Sequence, residues 1–441
     1  MIPLKTVQGL SAEKIREMVN ERDLYIWGGG ELAHAVLISL NKSGISCAGF
    51  LNTQACPTIP KLFGHPVSTP EKALSQGQAV FVVIATHNFR DQASKICEAA
   101  GLVKENDYTS YLNISRPEAV IDITQAIAFG GANPEPAFSI EAADSMNLED
   151  YTRIINKLCK DYPLLTKINI AEWGDSFLNP ELPNIVRATK QKNLICSVKT
   201  HLLVTNNLDE LIASEPTEIN VHIRGTTNNY EQQAGLGSWE KLLLNLNTLG
   251  NRLSLTKREI NVTVRYSSLM QDDPKQQQLL KRICAEFRFA FIPEDSYIMP
   301  YDRLLSVMEQ QLQVENHEIT QNIPWNVTKW TKIALRDADN PCLPQRIFPV
   351  INADGSTGLC HIYKAPKVAE QFLDLTKEEL LNKRHNHEHC VRCQHFGLHR
   401  LDLNVLRRKF PLEYSSSLSK EAELKQEPNV SQKRCANEKA I

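Results

Sequence analysis

Forty-two per cent of the 441 residues are apolar, enough for roughly two to three cores of ordinary size. Forty-nine basic side chains against 51 acidic ones leave a formal net charge of −2, so no global field draws the chain to nucleic acid or to an anionic membrane. The first thirty residues lack the apolar centre of a signal peptide, and nowhere do eighteen apolar residues run together, which points to a soluble cytoplasmic protein. The predicted elements then begin with an α/β unit. "DLYIWGGGELAHAVLISLNKSG" is a short apolar strand, a glycine turn and a helix of helical apolar spacing, followed by the strand "ISCAGFLN". A further strand, "AVFVVIAT", precedes the helix "NFRDQASKICEAAG", an alternation of the doubly wound kind.

The turn "WGGGELA" sets Gly28, Gly30 and Ala33 in a G-x-G-x-x-A arrangement directly after a strand and opening a helix. Lacking side chains, such glycines let a phosphate approach backbone N–H groups at the positive end of the helix. The acidic residue expected after the second strand is absent, with Asn52 in its place, which weighs against NAD. Two readings stand: a nucleotide-binding turn, or a glycine turn that only packs helix on strand. With "FGHPVSTPEKAL" and "VVIATHN", this stretch resembles the small Rossmann-like domain of sugar acyltransferases and of methyltransferases in surface-polysaccharide and natural-product pathways. The resemblance implies such a domain over residues 1–115, with a nucleotide or nucleotide-sugar as ligand.

From about residue 118 six further strands follow in series, "AVIDIT", "TKINIAEW", "CSVKTHLLV", "EINVHIR", "EINVTVRY" and "FRFAFIP". Helix-like stretches separate them, among them "LEDYTRIINKLCKDY", "SWEKLLLNLNTLG" and "DPKQQQLLKRICAEF". Serial βα units imply a curved parallel sheet, open or closed, with its ligand at the carboxyl ends of the strands. There lie Glu172, Asp175, Thr205, Asn206, His222, Arg224 and Arg265; His222 and Arg224 share a strand face by the two-residue period. Each of these is either a ligand contact or a satisfied polar partner.

The segments "IAEWGDSFLNPELPNIV", "LLVTNNLDELIAS" and "INVHIRGTTNNYEQQAGLGSWEKLLLNL" resemble, in order, the second, third and fourth strand regions of the radical S-adenosylmethionine superfamily. That resemblance implies a partial (β/α)6 barrel over residues 116–325, with Gly174, Asp175, Thr205 and Asn206 as the candidate cofactor-binding positions. The superfamily's C-x-x-x-C-x-x-C motif, whose three thiolates hold a 4Fe-4S cluster with one open iron, is missing. In its place "DITQAIAFGGANPEP" puts Ile127, Gly131 and Pro134 where the cysteines belong. Asp175 and Ser176 likewise replace the glutamate and proline of the family's segment that contacts the methionyl amino group. Reductive cleavage of S-adenosylmethionine is therefore not expected.

Eleven cysteines in a chain of this size argue for free thiols plus a metal site rather than a disulfide framework. Cys47, Cys97, Cys159, Cys196 and Cys284 lie in apolar runs and read as small hydrophobes, and Cys435 lies in the polar tail. Cys342, Cys360, Cys390 and Cys393 are different. "FPVINADGSTGLC" reads as a hairpin turning at Asp354-Gly355, and Cys390-x-x-Cys393 sits on a helix-like turn. Four thiolates suit one fully ligated 4Fe-4S cluster or one tetrahedral zinc, with His385, His387, His389, His395 and His399 as alternative zinc ligands or a solvated helix face. The spacing resembles the shorter, four-cysteine form of the auxiliary-cluster domain that follows many radical enzymes, which implies the cluster and a SPASM- or twitch-like domain over 326–410.

The expected chain is thus α/β: a Rossmann-like N-terminal domain, a partial barrel, a small metal-binding C-terminal domain and a disordered tail over 411–441. The resemblances imply modification of a carbohydrate or small metabolite without radical cleavage. The alternative is a non-catalytic scaffold or regulatory partner of an intact enzyme, with a structural zinc. Nucleic acid and membrane are not expected partners.

Overall fold

The computed structural model describes residues 12–52, 60–74, 79–86, 89–111, 114, 117–125, 145–170, 173–227, 230–231, 238–256, 258–268, 272–295, 301–309, 331–332, 335, 338, 342, 349–361, 363–385 and 387–400. The stretch expected to carry the missing cluster motif, Glu172, Cys435 and the tail 411–441 fall outside these.

The chain builds two sheets. In the first, α1 (Ala12–Val19) leads into β1 (Asp23–Trp27), α2 (Glu31–Lys42), β2 (Gly49–Leu51), β3 (Lys61–Leu62), β4 (His65–Ser68), α3 (Pro70–Leu74), β5 (Val80–Ile84), α4 (Arg90–Ala99) and β6 (Tyr108–Ser110). The order is β3-β4-β2-β1-β5-β6, parallel throughout except for the β3–β4 hairpin at one edge. Alternation along β1 sends Leu24 and Ile26 to one face, against Val36 and Leu40 of α2 and Ile15 of α1. Trp27 goes to the other, against Ala73 of α3 and Ala93 and Cys97 of α4. Both faces are covered, so this is the doubly wound unit expected from the strand-helix alternation.

The second sheet takes β7 (Glu118–Ile121), β8 (Lys167–Ile170), β9 (Ile195–Thr200), β10 (Glu218–Arg224), β11 (Asn261–Ser268) and β12 (Ala290–Asp295) in simple serial order. All six expected strands are present, each parallel to its neighbour. Between them run α5 (Leu148–Asp161), α6 (Leu182–Gln191), α7 (Leu208–Ser214), α8 (Trp239–Ser254) and α9 (Pro274–Glu286). Three of these start on side-chain caps: Asn147 accepts from the Asp150 N–H at 2.8 Å, Ser238 from Lys241 at 3.1 Å and Asp273 from Lys275 at 2.9 Å. Ala119, Ile121, Ile168, Ile170, Cys196, Val198, Ile219, Val221, Ile223 and Val264 meet these helices in one core.

Beyond α10 (Tyr301–Glu309) come β13 (Val350–Ile351), β14 (Thr357–Cys360), β15 (Tyr363–Ala369), α11 (Lys377–His385) and α12 (Glu388–His395). The expected hairpin forms: Gly355 takes a φ of +77° at the turn, and β13 pairs antiparallel with β14. It is not a sheet of its own. β13 lies parallel to β7, so the barrel sheet runs on to nine strands in the order β12-β11-β10-β9-β8-β7-β13-β14-β15. Ile351, Phe372 and Leu380 accordingly join the barrel core.

Candidate ligand site and candidate metal centre

The glycine turn lies between the ends of β1 and β5. Gly28 has a φ of +139°, its N–H donates to the Leu51 carbonyl at 3.1 Å, and a Cβ there would collide with the Ala85 carbonyl. Close backbone approach explains this glycine. Gly30 is extended, with open space around a notional Cβ, and α2 begins after it without a side-chain cap. Glu31, in the first turn of α2, reaches out of its own domain to Lys167 at the start of β8. Lys42, at the other end of α2, donates to the Leu165 carbonyl at 2.5 Å. The glycine-turn helix therefore lies against the amino-terminal rim of the barrel sheet.

At the carboxyl end of β8, Gly174 packs so tightly that a Cβ would strike the Thr124 carbonyl just beyond β7. Asp175 is fully buried. Its Oδ1 accepts from the Thr200 hydroxyl at 2.7 Å and the Phe177 N–H at 3.1 Å, and its Oδ2 from the His201 N–H at 3.1 Å. Burial pushes the Asp175 pKa up, against these donors. The carboxylate thus ties the turn after β8 to the end of β9. Asp122 plays a similar part, accepting from the Trp173 N–H at 3.0 Å. Thr205 is half-buried and Asn206 exposed on the loop between β9 and α7.

The sheet face turned away from the helices is polar along its length. At the amino end, Lys167 (side chain 9% exposed) bridges Glu218 (10%) at 2.9 Å and Glu31 (36%). Glu218 also accepts from the Ser197 hydroxyl and from Asn220 Nδ2 at 2.8 Å, and Asn169 donates to Glu118 at 3.0 Å. Burial opposes ionisation of Glu218, but Lys167 and these donors outweigh it and hold its pKa down at about 2. Burial pushes Glu31 up to about 7 against the pull of the same lysine, with Glu218 adding repulsion. Two carboxylates share one ammonium, and the one with more donors keeps its charge.

At the carboxyl end the same face carries Lys199, His222, Arg224 and Arg265. Strand register sets Lys199 beside Asn220 and His222 beside Arg265, whose Nε donates to Asn220 Oδ1 at 3.1 Å. His201 is buried, with Nδ1 at 2.9 Å from the His222 carbonyl and its ring 6.3 Å from the His222 ring. Burial pushes both imidazoles well below their usual pKa, and Lys199 adds to this in each, with Arg224 acting on His201 and Arg265 on His222. Burial also lowers Arg224 to about 10, which leaves it cationic at neutral pH. On the core side, Tyr230 packs edge-on against Trp239 and is 3% exposed, its hydroxyl has no hydrogen-bond partner among the described residues, and burial with the Asp175 charge raises its pKa.

In the C-terminal region β14 ends on Cys360, and α12 carries Cys390 and buried Cys393 one helical turn apart. Arg384 of α11, 2% exposed, donates Nε to the Leu359 carbonyl at 2.9 Å, which docks α11 on the hairpin. Burial pushes the Cys390 thiol up to about 11, with the Cys360 thiol adding to the rise and Arg384 opposing it. Cys360 and Cys390 thus lie within each other's field, and Cys342 is buried. Soft thiols are the donors that iron-sulfur clusters and zinc take. Among the described residues no three His, Cys, Asp or Glu side chains converge at ligating distance. His387 caps α12, accepting from the His389 N–H at 3.2 Å, and His395 packs edge-on against Phe396. Cys47, Cys97, Cys196 and Cys284 are buried with thiols pushed up to about 11 or 12, as small hydrophobes should be, and burial likewise raises half-buried Cys159.

Sequence reasoning singled out His222, Arg224 and Arg265, and the structure brings them to one end of one face. It missed Lys199, His201 and the Glu31–Lys167–Glu218 bridge. The period of "CSVKTH" puts Lys199 on the face opposite Val198 and so carried a usable signal. Glu31 carried none, because its partner lies in the other sheet.

Among the described residues no helix is long and apolar enough to cross a membrane. No protein-family model matches the chain, and no curated protein does. Solved structures do. Streptococcus suis SuiB bound to S-adenosylmethionine is 12% identical over 64% of this chain and 70% of its own, with a TM-score of 0.39. Native anSMEcpe with bound AdoMet is 14% identical over 61% and 82%, at 0.37. BtrN in complex with AdoMet and 2-DOIA is 11% identical over 66% and 91%, at 0.35. Each likeness is distant, and none assigns a residue of this chain a role.

Proposed function

We propose that this chain is a radical-S-adenosylmethionine-like protein that acts on a carbohydrate or small metabolite without reductive cleavage of S-adenosylmethionine. In this reading Cys342, Cys360, Cys390 and Cys393 hold one auxiliary 4Fe-4S cluster in a domain over 326–410. The observation that carries the reading is Asp175. It stands where the resemblance expects a carboxylate directed at the cofactor's methionyl amino group, yet three donors of the chain itself surround it in full burial. A carboxylate so engaged positions the β8 and β9 ends instead of holding a ligand.

A cluster ligated on every iron would supply electron transfer or a fixed scaffold. The chain's own part is binding: the carboxyl end of the barrel sheet presents cations and neutral imidazoles, where such sheets take their ligands. Neutral His222 can accept a proton from a bound hydroxyl. The glycine turn, with open approach at Gly30, is the proposed place for a nucleotide or nucleotide-sugar.

The test is iron, sulfide and zinc analysis of protein purified without oxygen, with EPR before and after dithionite. About four irons and four sulfides per chain, lost in a Cys390→Ser/Cys393→Ser variant, are expected. One zinc without sulfide would replace the cluster by a structural site. A cluster signal that changes on adding S-adenosylmethionine and survives that double substitution would overturn the reading.

A further inference from the structure

We infer that Asn220 is a positioning residue: it passes the hydrogen-bond direction set by Glu218 and Lys167, at the amino end of the barrel's polar face, to the Arg265 guanidinium beside His222. The inference rests on the proposed reading of the carboxyl end as the place where a ligand is taken, and adds what orients a side chain there.

The first support is an unbroken chain of contacts. Lys167 Nζ donates to Glu218 Oε1 at 2.9 Å, and the Ser197 hydroxyl donates to the same oxygen. Asn220 Nδ2 donates to that oxygen at 2.8 Å and to Ser197 Oγ at 3.0 Å, while Asn220 Oδ1 accepts from Arg265 Nε at 3.1 Å. Ser197, Glu218 and Asn220 are all buried, which leaves little water to replace a lost partner.

The second is that the direction of the chain is forced. An amide can face either way, but ionised Glu218 only accepts and a guanidinium only donates. Turned over, Asn220 would set its oxygen against the Glu218 carboxylate and its NH2 against the Arg265 N–H, two repulsive contacts in a buried setting. Against the cost of burial, Lys167 and the surrounding donors hold the Glu218 pKa down at about 2, so Glu218 is charged and the direction holds at neutral pH. The third is reach. Arg265 stands opposite His222 in strand register, and Asn220 lies two residues earlier on β10 on the same face. The Nε bond therefore draws the guanidinium diagonally toward β10, alongside His222. A free arginine has much rotamer freedom to lose on meeting a ligand, and one already held has less. Arg265 has a further interaction within the chain, and the Nε bond is the part that Asn220 controls.

Full-length protein carrying isotope-labelled arginine is followed by NMR. The Arg265 Nε–H signal is assigned from its absence in Arg265→Lys, and its exchange with water is measured. In the unaltered chain that hydrogen should exchange about 10- to 100-fold more slowly than those of exposed arginines, as a bond from a charged donor implies. Asn220→Leu should remove the protection, while Asn220→Asp, which still accepts, should keep it. Glu218→Gln should leave it intact, because the amide oxygen can still face Lys167, Ser197 and Asn220. Lys167→Met combined with Glu218→Met should lower it about 3- to 10-fold, since nothing charged then fixes the Asn220 amide. A residue that only packs would lower stability in both Asn220 variants without that split in Arg265 exchange. The first measurement is made on the unaltered chain, so the test survives a variant that fails to fold. Arg265 exchanging there like an exposed arginine would overturn the inference. So would protection that persists in Asn220→Leu or in the Lys167 and Glu218 double variant. No ligand or metal enters these measurements, and iron and sulfide content reports on the proposed function separately.

Discussion

Replacing Lys167 by methionine isolates the contact that joins the two sheets. The ammonium sits 2.9 Å from Glu218, with both side chains about nine-tenths buried. At an effective dielectric of 20 the attraction is roughly 6 kcal/mol, most of it offset by the desolvation of the two charges. Removing one partner leaves the other charge buried, which costs about 3–5 kcal/mol. Ser197 and Asn220 still donate to Glu218, so the lower end of that range applies, about 3 kcal/mol. Glu31, with 36% of its side chain exposed, can turn to water and adds little. Chemical denaturation of Lys167→Met, Glu218→Gln and the double variant measures the coupling directly. The double variant should be less destabilised than Lys167→Met alone, because the uncompensated carboxylate has gone. A loss under about 1 kcal/mol in Lys167→Met, or strict additivity in the cycle, would refute the bridge.

The remaining expectations concern single side chains. The Glu31 pKa is raised to about 7 in the folded chain, above its ordinary value of 4.5, so its contribution to stability is full below about pH 4.5 and is lost as pH rises through about 7. Glu31→Gln should remove that part of the pH dependence, and unchanged denaturation profiles between pH 4.5 and 7.5 would refute the assignment. Gly250 lies inside α8 with the Phe287 ring where a Cβ would stand, so Gly250→Ala should destabilise by about 1–3 kcal/mol despite its better helix propensity. A thermal midpoint raised by that substitution would sink the argument. Asp175→Asn swaps an acceptor for a donor opposite N–H and O–H donors, and should cost about 1–3 kcal/mol while iron content stays constant. Loss of metal in that variant would mean the residue serves the metal centre.

The βα alternation was legible because its cause is local. In β10 the run "EINVHIR" alternates strictly, so which residues face the helices followed from period alone, and His222 and Arg224 emerged together. The hairpin at Gly355 was legible for the same reason: a turn needs a residue that tolerates positive φ. What the sequence did not show depends on partners far along the chain. Nothing near Val350 says that β13 will add to the edge of β7, more than two hundred residues earlier, so the extension of the barrel sheet by the hairpin was not legible. Asp175 read equally well as a ligand contact or a satisfied carboxylate, because its donors come from β9 and from its own turn. Gly28 was open to two causes, and the Ala85 carbonyl supplies the packing one.

The two ends of the polar face answer different physical demands. Lys167 at the amino end is closed in by carboxylates on both sides, one from β10 and one from the neighbouring sheet, so charge there is balanced within the chain and water is largely excluded. A balanced buried network adds little net stability over a well-packed apolar one, but it fixes one arrangement of α2 against the barrel rim. At the carboxyl end Lys199, Arg224 and Arg265 raise the local potential enough to help keep two imidazoles neutral.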